Sequence, residues 1–216
     1  MQRQGQASRP SKPTAVPATD DEIREKYLER AIRELNSFAQ RLGECSHCPR
    51  GQLMPVLGSG HPQADIFLIK HSALPAEVEE GVAFYGRGGN ALMKSLKRLN
   101  IDPLAVYGTL CVKCPVFEPD EPDPGCVARL LEELAIVQPK LVVVMGEDAL
   151  AVVNELEIPL GRAIEARPGE LQRLTPSIEA IYVPNIDASL DEENAKRDFW
   201  SAFKVVGHWW ADLPPY

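Results

Sequence analysis

Between residues 20 and 42 the apolar side chains Ile23, Tyr27, Ala31, Ile32, Leu35, Phe38, Ala39 and Leu42 recur at steps of three and four, the spacing of one helix face. Thr19 or Asp20 supplies an N-cap, the acidic first turn suits the helix dipole, and Gly43 is expected to end the helix. Downstream the pattern changes to short continuous apolar runs at residues 64–69, 106–112, 140–145 and 178–183, with LVVVM the clearest. Continuous rather than alternating apolar character suits parallel strands covered on both faces. Helical periodicity fills the intervals at 90–99, 125–137, 148–156 and 189–206, the last with Ser189 and Glu192 as an expected capping box. Strands alternating with helices predict a three-layer α/β/α fold around a four-stranded parallel sheet. Ligands of such sheets bind beyond the carboxyl ends of the strands. Here those ends are Lys70–His71, Cys111–Cys114, Gly146–Glu147 and Pro184–Asp187.

Composition narrows the setting. Residues 1–18 are rich in Gln, Ser, Pro and Thr and hold few large apolar side chains, so they are expected to form a flexible tail before a single folded unit at 19–216. The amino terminus lacks the hydrophobic core of a secretory signal, and no apolar run approaches the roughly 20 residues of a membrane span; the cytoplasm is the expected compartment. A net charge of −8 argues against tight non-specific DNA binding. It leaves room for a local basic cleft, and Arg87, Lys94, Lys97 and Arg98 are the local concentration.

Five cysteines include two C-x-x-C pairs, ECSHCP and LCVKCP. Disulfides are disfavoured in a reducing compartment, and paired C-x-x-C motifs suggest tetrahedral thiolate binding of zinc or an iron–sulfur cluster. Spacing alone leaves the choice of ligands open. Cys111 falls where a strand should still lie inside the sheet, whereas Cys114 lies past its end. The acidic loop FEPDEPDPG then leads back to Cys126 at a helix start. Cys45, Cys48, Cys114 and Cys126 are therefore the expected ligands, with Cys111 a buried spare and His47 solvent-facing or a donor to a ligand.

From Cys45 to Val206 the chain resembles the family 4 iron–sulfur uracil-DNA glycosylases. The resemblance is carried by the paired Cys45 and Cys48, VLGSGHPQADIFLI, AFYGRGGNALMKSL, VYGTLCVKCP, PKLVVVMGEDAL and the closing helix with Trp200, in that order. It implies a [4Fe–4S] cluster on four cysteines spaced like Cys45, Cys48, Cys114 and Cys126. It also implies DNA as partner, and Phe84 as the aromatic on which uracil stacks. Gly86, Arg87, Gly88 and Gly89 match the segment beside it, where glycines opening a helix suit a phosphate.

Three positions depart from the family. Its Gly-Glu-Ala-Pro-Gly loop, which places the attacking water, is replaced by Lys70, His71, Ser72, Ala73 and Leu74. Its uracil-reading Asn falls on Leu110, which has no hydrogen-bonding group, and its His-Pro falls at Asp187–Ala188. Three readings follow. One is a superfamily member that binds DNA or a nucleotide with uracil excision weak or lost. The second is a DNA glycosylase with altered substrate or mechanism, using Lys70 as an amine nucleophile and His71 or Asp187 as acid or base. The third is an iron–sulfur protein with a structural or electron-transfer role and no catalysis.

Overall fold

The computed structural model describes residues 19–48, 53–115 and 124–214; the expected tail and most of the acidic loop lie outside the described residues. In chain order the elements are α1 (Asp20–Glu44), β1 (Ser59–Gly60), β2 (Ile66–Lys70), α2 (Pro75–Glu80), α3 (Gly86–Arg98), β3 (Val106–Leu110), α4 (Pro124–Val137), β4 (Leu141–Met145), α5 (Glu147–Glu155), β5 (Leu171–Arg173), β6 (Glu179–Val183) and α6 (Glu193–Ala211). The sheet order is β1-β3-β2-β4-β6-β5. The four inner strands run parallel, as the continuous apolar runs require, and short antiparallel strands flank them on both edges. The sheet thus has six strands rather than four. The two additional ones are too short and polar to leave a period.

Register fixes what each face buries. Ile66 and Leu68 of β2 join Leu141, Val143, Met145, Ile181 and Val183 in a core covered by Leu92 and Leu96 of α3 and by Phe199, Phe203 and Val206 of α6. Phe67 and Ile69, with Val142, Val144 and Ala180, face Leu130, Leu134 and Val137 of α4 and Val152 and Val153 of α5, with Leu35 of α1 packed alongside. The sheet is therefore a middle layer, and the side-chain alternation of each strand decides which helices it meets. Lys70 continues the Ile66 and Leu68 series, so the strand delivers it to the α3/α6 face.

Three local expectations are corrected. Helix α1 passes through Gly43 and ends at Cys45; a single glycine in a helix costs only about 1 kcal/mol relative to alanine, and Leu42, buried on the same turn, outweighs it. Its start follows the sequence: Thr19 and Glu22 form a reciprocal capping box. Ser189 and Glu192 do not cap α6. Ser189 lies in a 3₁₀ turn, Ala188–Leu190, and its hydroxyl donates to the Ile186 carbonyl at 2.6 Å. Helix α3 begins at Gly86, earlier than the apolar pattern reveals, because its first turn, Gly86 to Gly89, holds three glycines and Arg87 and no apolar side chain.

The α3/α6 core predicts a contrast in stability. Phe203, fully buried and stacked on Phe199 with ring centres 5.2 Å apart, should cost roughly 3–5 kcal/mol when replaced by alanine. Tyr27→Ala, at an α1 position left 59% exposed, should change stability by less than about 0.5 kcal/mol in the same denaturant titration.

Candidate functional site

Two clusters of polar side chains lie at the carboxyl edge of the sheet, one on each face. The first is built on Lys70. Its side chain is 2% exposed, and its Nζ donates to Glu77 Oε2 at 2.6 Å and to Asp187 Oδ2 at 2.7 Å. The ammonium also stands 5.5 Å from the centre of the Phe84 ring, within the range of a cation–π contact. Glu77, 1% exposed on α2, accepts in addition from the backbone N–H groups of Leu74 and Phe84. One carboxylate thereby gathers the end of β2, the start of α2 and the turn before α3. A charge this deep is tolerated only because it is paired and its remaining lone pairs are used.

Phe84 holds a left-handed φ of 58°, uncommon for a bulky residue and costing on the order of 1–3 kcal/mol. The Glu77 bond to its N–H and the packing of its ring help to fix that conformation. A Cβ at Gly108 would lie 2.6 Å from the Phe84 ring, and a Cβ at Gly89 only 1.7 Å from the Phe84 carbonyl oxygen. A Cβ at Gly88 would lie 2.9 Å from Asp187 Oδ1. Close approach thus requires Gly88 and Gly89, while Gly86 adopts a φ of +75° at the helix start. Leu110 is fully buried with Val56 and Ala83 beside Phe84. Asp187 Oδ1 is buried and has no hydrogen-bond partner among the described residues.

The remaining expected residues fall around this cluster. His71 is half-exposed, and its backbone carbonyl accepts from Val112 N–H. Arg87 is exposed and pairs with Asp191 at 2.6 Å. Arg87, Lys94, Arg98, Lys196 and Arg197 line one groove of about 750 Å³ between α3 and α6. Within it the Arg98 guanidinium stacks 4.7 Å from the Trp200 ring centre.

The second cluster is sulfur. The Sγ atoms of Cys48, Cys114 and Cys126 all lie within 4.8 Å of one another. Cys45 lines the same cavity of about 200 Å³ with them, together with Leu42, Ala128 and Arg129. Cys45 Sγ is 3.2 Å from His47 Nδ1, and His47, through its backbone first and then its ring, holds the Cys45 thiol below its usual range. Cys126 is pulled down to about 5, first by its hydrogen bond with Cys114 and, more weakly, by the Lys113 and Cys114 backbone N–H groups; Cys114 is pushed up in return. Cys111 is apart from this group. It sits in the α4/α5 core, and burial pushes its thiol up to about 12. Four soft donors around one cavity fit a thiolate-bound metal or cluster.

Sequence reasoning missed Glu77, Lys113 and Glu133. Glu77 shares a six-residue helix with Glu79 and Glu80, and no period over so short a segment separates the buried acid from its exposed neighbours. Lys113 and Glu133 form an ion pair in which both side chains are 0% exposed. The lysine beside Cys114 was the available signal, since a charge next to an expected ligand is seldom incidental.

Comparison with known proteins agrees with this architecture. The family model described as the Uracil DNA glycosylase superfamily matches residues 57–204. A type-4 uracil-DNA glycosylase from Archaeoglobus fulgidus is 22% identical over 185 residues, covering 82% of this chain and 93% of that protein. One from Thermotoga maritima is 28% identical over 131 residues, covering 58% of this chain and 67% of that protein.

The Lys70 cluster predicts a sharp response to charge deletion. Glu77→Ala should destabilise the protein by about 3–5 kcal/mol, because it removes one partner of a buried pair and releases the Phe84 backbone. Glu79→Ala on the exposed side of the same helix should stay within about 0.5 kcal/mol. Urea unfolding of the two variants measures both.

Proposed function

This chain belongs to the uracil-DNA glycosylase superfamily, and on that premise we propose that it binds DNA, holds a [4Fe–4S] cluster on Cys45, Cys48, Cys114 and Cys126, and excises uracil weakly or not at all. The observation that carries the proposal is the Lys70 ammonium, locked between Glu77 and Asp187 over the face of Phe84. Excision of a base needs an aromatic face open to an extruded base, a side chain that reads its edge, and a donor for the charge that develops on the leaving base. Lys70 stands over the aromatic face. Leu110 offers no donor or acceptor at the position of the reading side chain. Asp187 presents a carboxylate where an anionic leaving base would form, and one such substitution alone can cost roughly 3 kcal/mol of transition-state stabilisation.

The cluster reading rests on the four cysteines around one cavity and on the type-4 relatives. The thiolates would hold the iron, and Leu42 and Ala128 would shield it from solvent. The cluster would join α1, the end of β3 and α4 as a cross-link. The DNA reading draws on the basic groove between α3 and α6, whose exposed cations can meet backbone phosphates without base readout. A cytoplasmic setting, where thiols stay reduced, suits both.

A second reading is favoured by Asp187 Oδ1. A buried acceptor without a partner among the described residues suits an N–H donor of an extruded base, and beside Leu110, which offers uracil no polar contact, it suits a glycosylase of altered substrate. Lys70 is poorly suited to act as its nucleophile. Its ammonium donates to two carboxylates, whereas attack requires an unpaired amine open to the substrate.

Anaerobically purified protein should show the broad visible absorption of a [4Fe–4S] cluster with about four irons, lost in Cys114→Ser; a colourless protein holding one zinc overturns the cluster. It should release little uracil from single- or double-stranded DNA. Robust excision that survives changes at Lys70, His71 and Asp187 overturns the proposed loss of activity, and release of hypoxanthine alone selects the second reading. Binding to DNA should weaken with salt, and the double substitution Lys94→Ala and Lys196→Ala should reduce the slope of log K against log salt by about 2. No binding even at low salt would leave a structural or electron-transfer role.

A further inference from the structure

The Lys113–Glu133 pair lies outside the Lys70 cluster and has no part in base recognition. It is nevertheless the most deeply buried ion pair among the described residues, at 0% exposure on both sides. Lys113 Nζ donates to Thr109 Oγ1 at 2.7 Å, to the Leu110 carbonyl at 2.9 Å and to Glu133 Oε2, so all three of its protons are used. Glu133 also accepts from Tyr107 OH and Thr109 Oγ1, each at 2.8 Å. The ammonium stands 5.9 Å from the centre of the Phe38 ring on α1. The Lys113 carbonyl accepts from Val56 N–H at 2.7 Å. Side chain and carbonyl are thus both anchored, which leaves the peptide groups of residues 113 and 114 with a single orientation.

That orientation matters because of what those peptides face. The Cys114 sulfur lies within 4.8 Å of those of Cys48 and Cys126, and the backbone N–H groups of Lys113 and Cys114 face Cys126 closely enough to lower its thiol. Cys126 and Glu133 stand on the same helix, α4, two turns apart and so on one face. The ion pair therefore ties the end of β3, which carries Cys114, to the helix that carries Cys126. This bond is independent of the loop that joins them in sequence. Hydrogen bonds to ligand sulfurs and nearby fixed charge are the means by which a protein sets the potential of an iron–sulfur cluster.

We infer that Lys113, anchored by Glu133, is a positioning residue of the sulfur site: it holds the backbone of Lys113 and Cys114 so that its N–H groups face Cys126, and so sets the reduction potential of the bound cluster. This rests on the iron–sulfur reading given above. The reduced cluster carries one more negative charge than the oxidised one, so N–H donors stabilise it preferentially. Loosening them should lower the potential.

Lys113→Met alone leaves Glu133 charged and unpaired in a site closed to water, and reduced folding yield is the expected result. The decisive variant joins Lys113→Met with Glu133→Gln, which removes both charges at similar volume. Thr109→Val, which removes one hydrogen bond to the ammonium at nearly constant volume, is the second. Each protein is purified anaerobically, its fold checked by thermal unfolding and its iron counted, and the cluster potential is measured by redox titration followed by electron paramagnetic resonance. The double variant should keep its fold and iron, with the reduction equilibrium shifted about tenfold toward the oxidised cluster, ~59 mV for one electron. Thr109→Val should shift in the same direction by less. An unchanged potential in folded, iron-loaded double variant overturns the inference and leaves the pair a purely structural role; if the double variant does not fold, an unchanged potential in Thr109→Val does the same. A wild-type protein without iron–sulfur absorption removes the premise and the inference together, whereas a normal wild-type cluster with insensitive variants removes the inference alone.

Discussion

A lysine ammonium can be closed off from water only where carboxylates and carbonyls meet it, and among the described residues this happens twice, at the ends of neighbouring strands. Lys70 closes β2 on the α3/α6 face, where Glu77 and Asp187 receive it. Lys113 follows β3 on the opposite face, where Glu133 receives it. Each compensating glutamate lies on the next helix of the chain. Each therefore fixes the turn that leads out of a strand into a helix, the part of a parallel α/β fold where backbone direction is least constrained by the sheet. The turns around Phe84 are organised by the first pair and the backbone beside the sulfur cavity by the second.

The Lys70 pair also explains the glycines next to it. Asp187 reaches Lys70 only by lying against Gly88, and Phe84 keeps its left-handed backbone only because Gly89 leaves room for its carbonyl. The helix start is glycine-rich for a packing reason at two positions, since Gly88 lies against Asp187 and Gly89 against Phe84. Arg87, on the same turn, lines the groove between α3 and α6 with Lys94, Arg98, Lys196 and Arg197.

Much of the architecture was legible in the chain. Runs such as LVVVM must be buried on both faces, and apolar steps of three and four leave little alternative to helices. That Cys114 and Cys126 lie together and Cys111 apart was legible from one stereochemical fact: a thiol inside a strand points into a core, as Cys111 does. What escaped was short or polar. Strands β1 and β5, of two and three residues, carry no period, and helix α2 is too brief to mark Glu77 as its inward residue. Gly43 and the Ser189–Glu192 pair misled because a local signal was overridden, in one case by the buried Leu42 and in the other by a turn that used the serine hydroxyl.

The sequence by itself determined the layer order, the parallel inner strands and which residues stand at their carboxyl ends. These follow from periodicity and residue identity, which are properties of the chain alone. Only the tertiary structure decided that Lys70 turns inward over Phe84 rather than outward to solvent. That outcome depends on Asp187, 117 residues distant in the chain. It depends equally on Glu77, whose carboxylate is unremarkable until the fold closes around it. Whether a charge is exposed or paired is set by the groups that surround it, and those groups are brought together by packing rather than by order in the sequence.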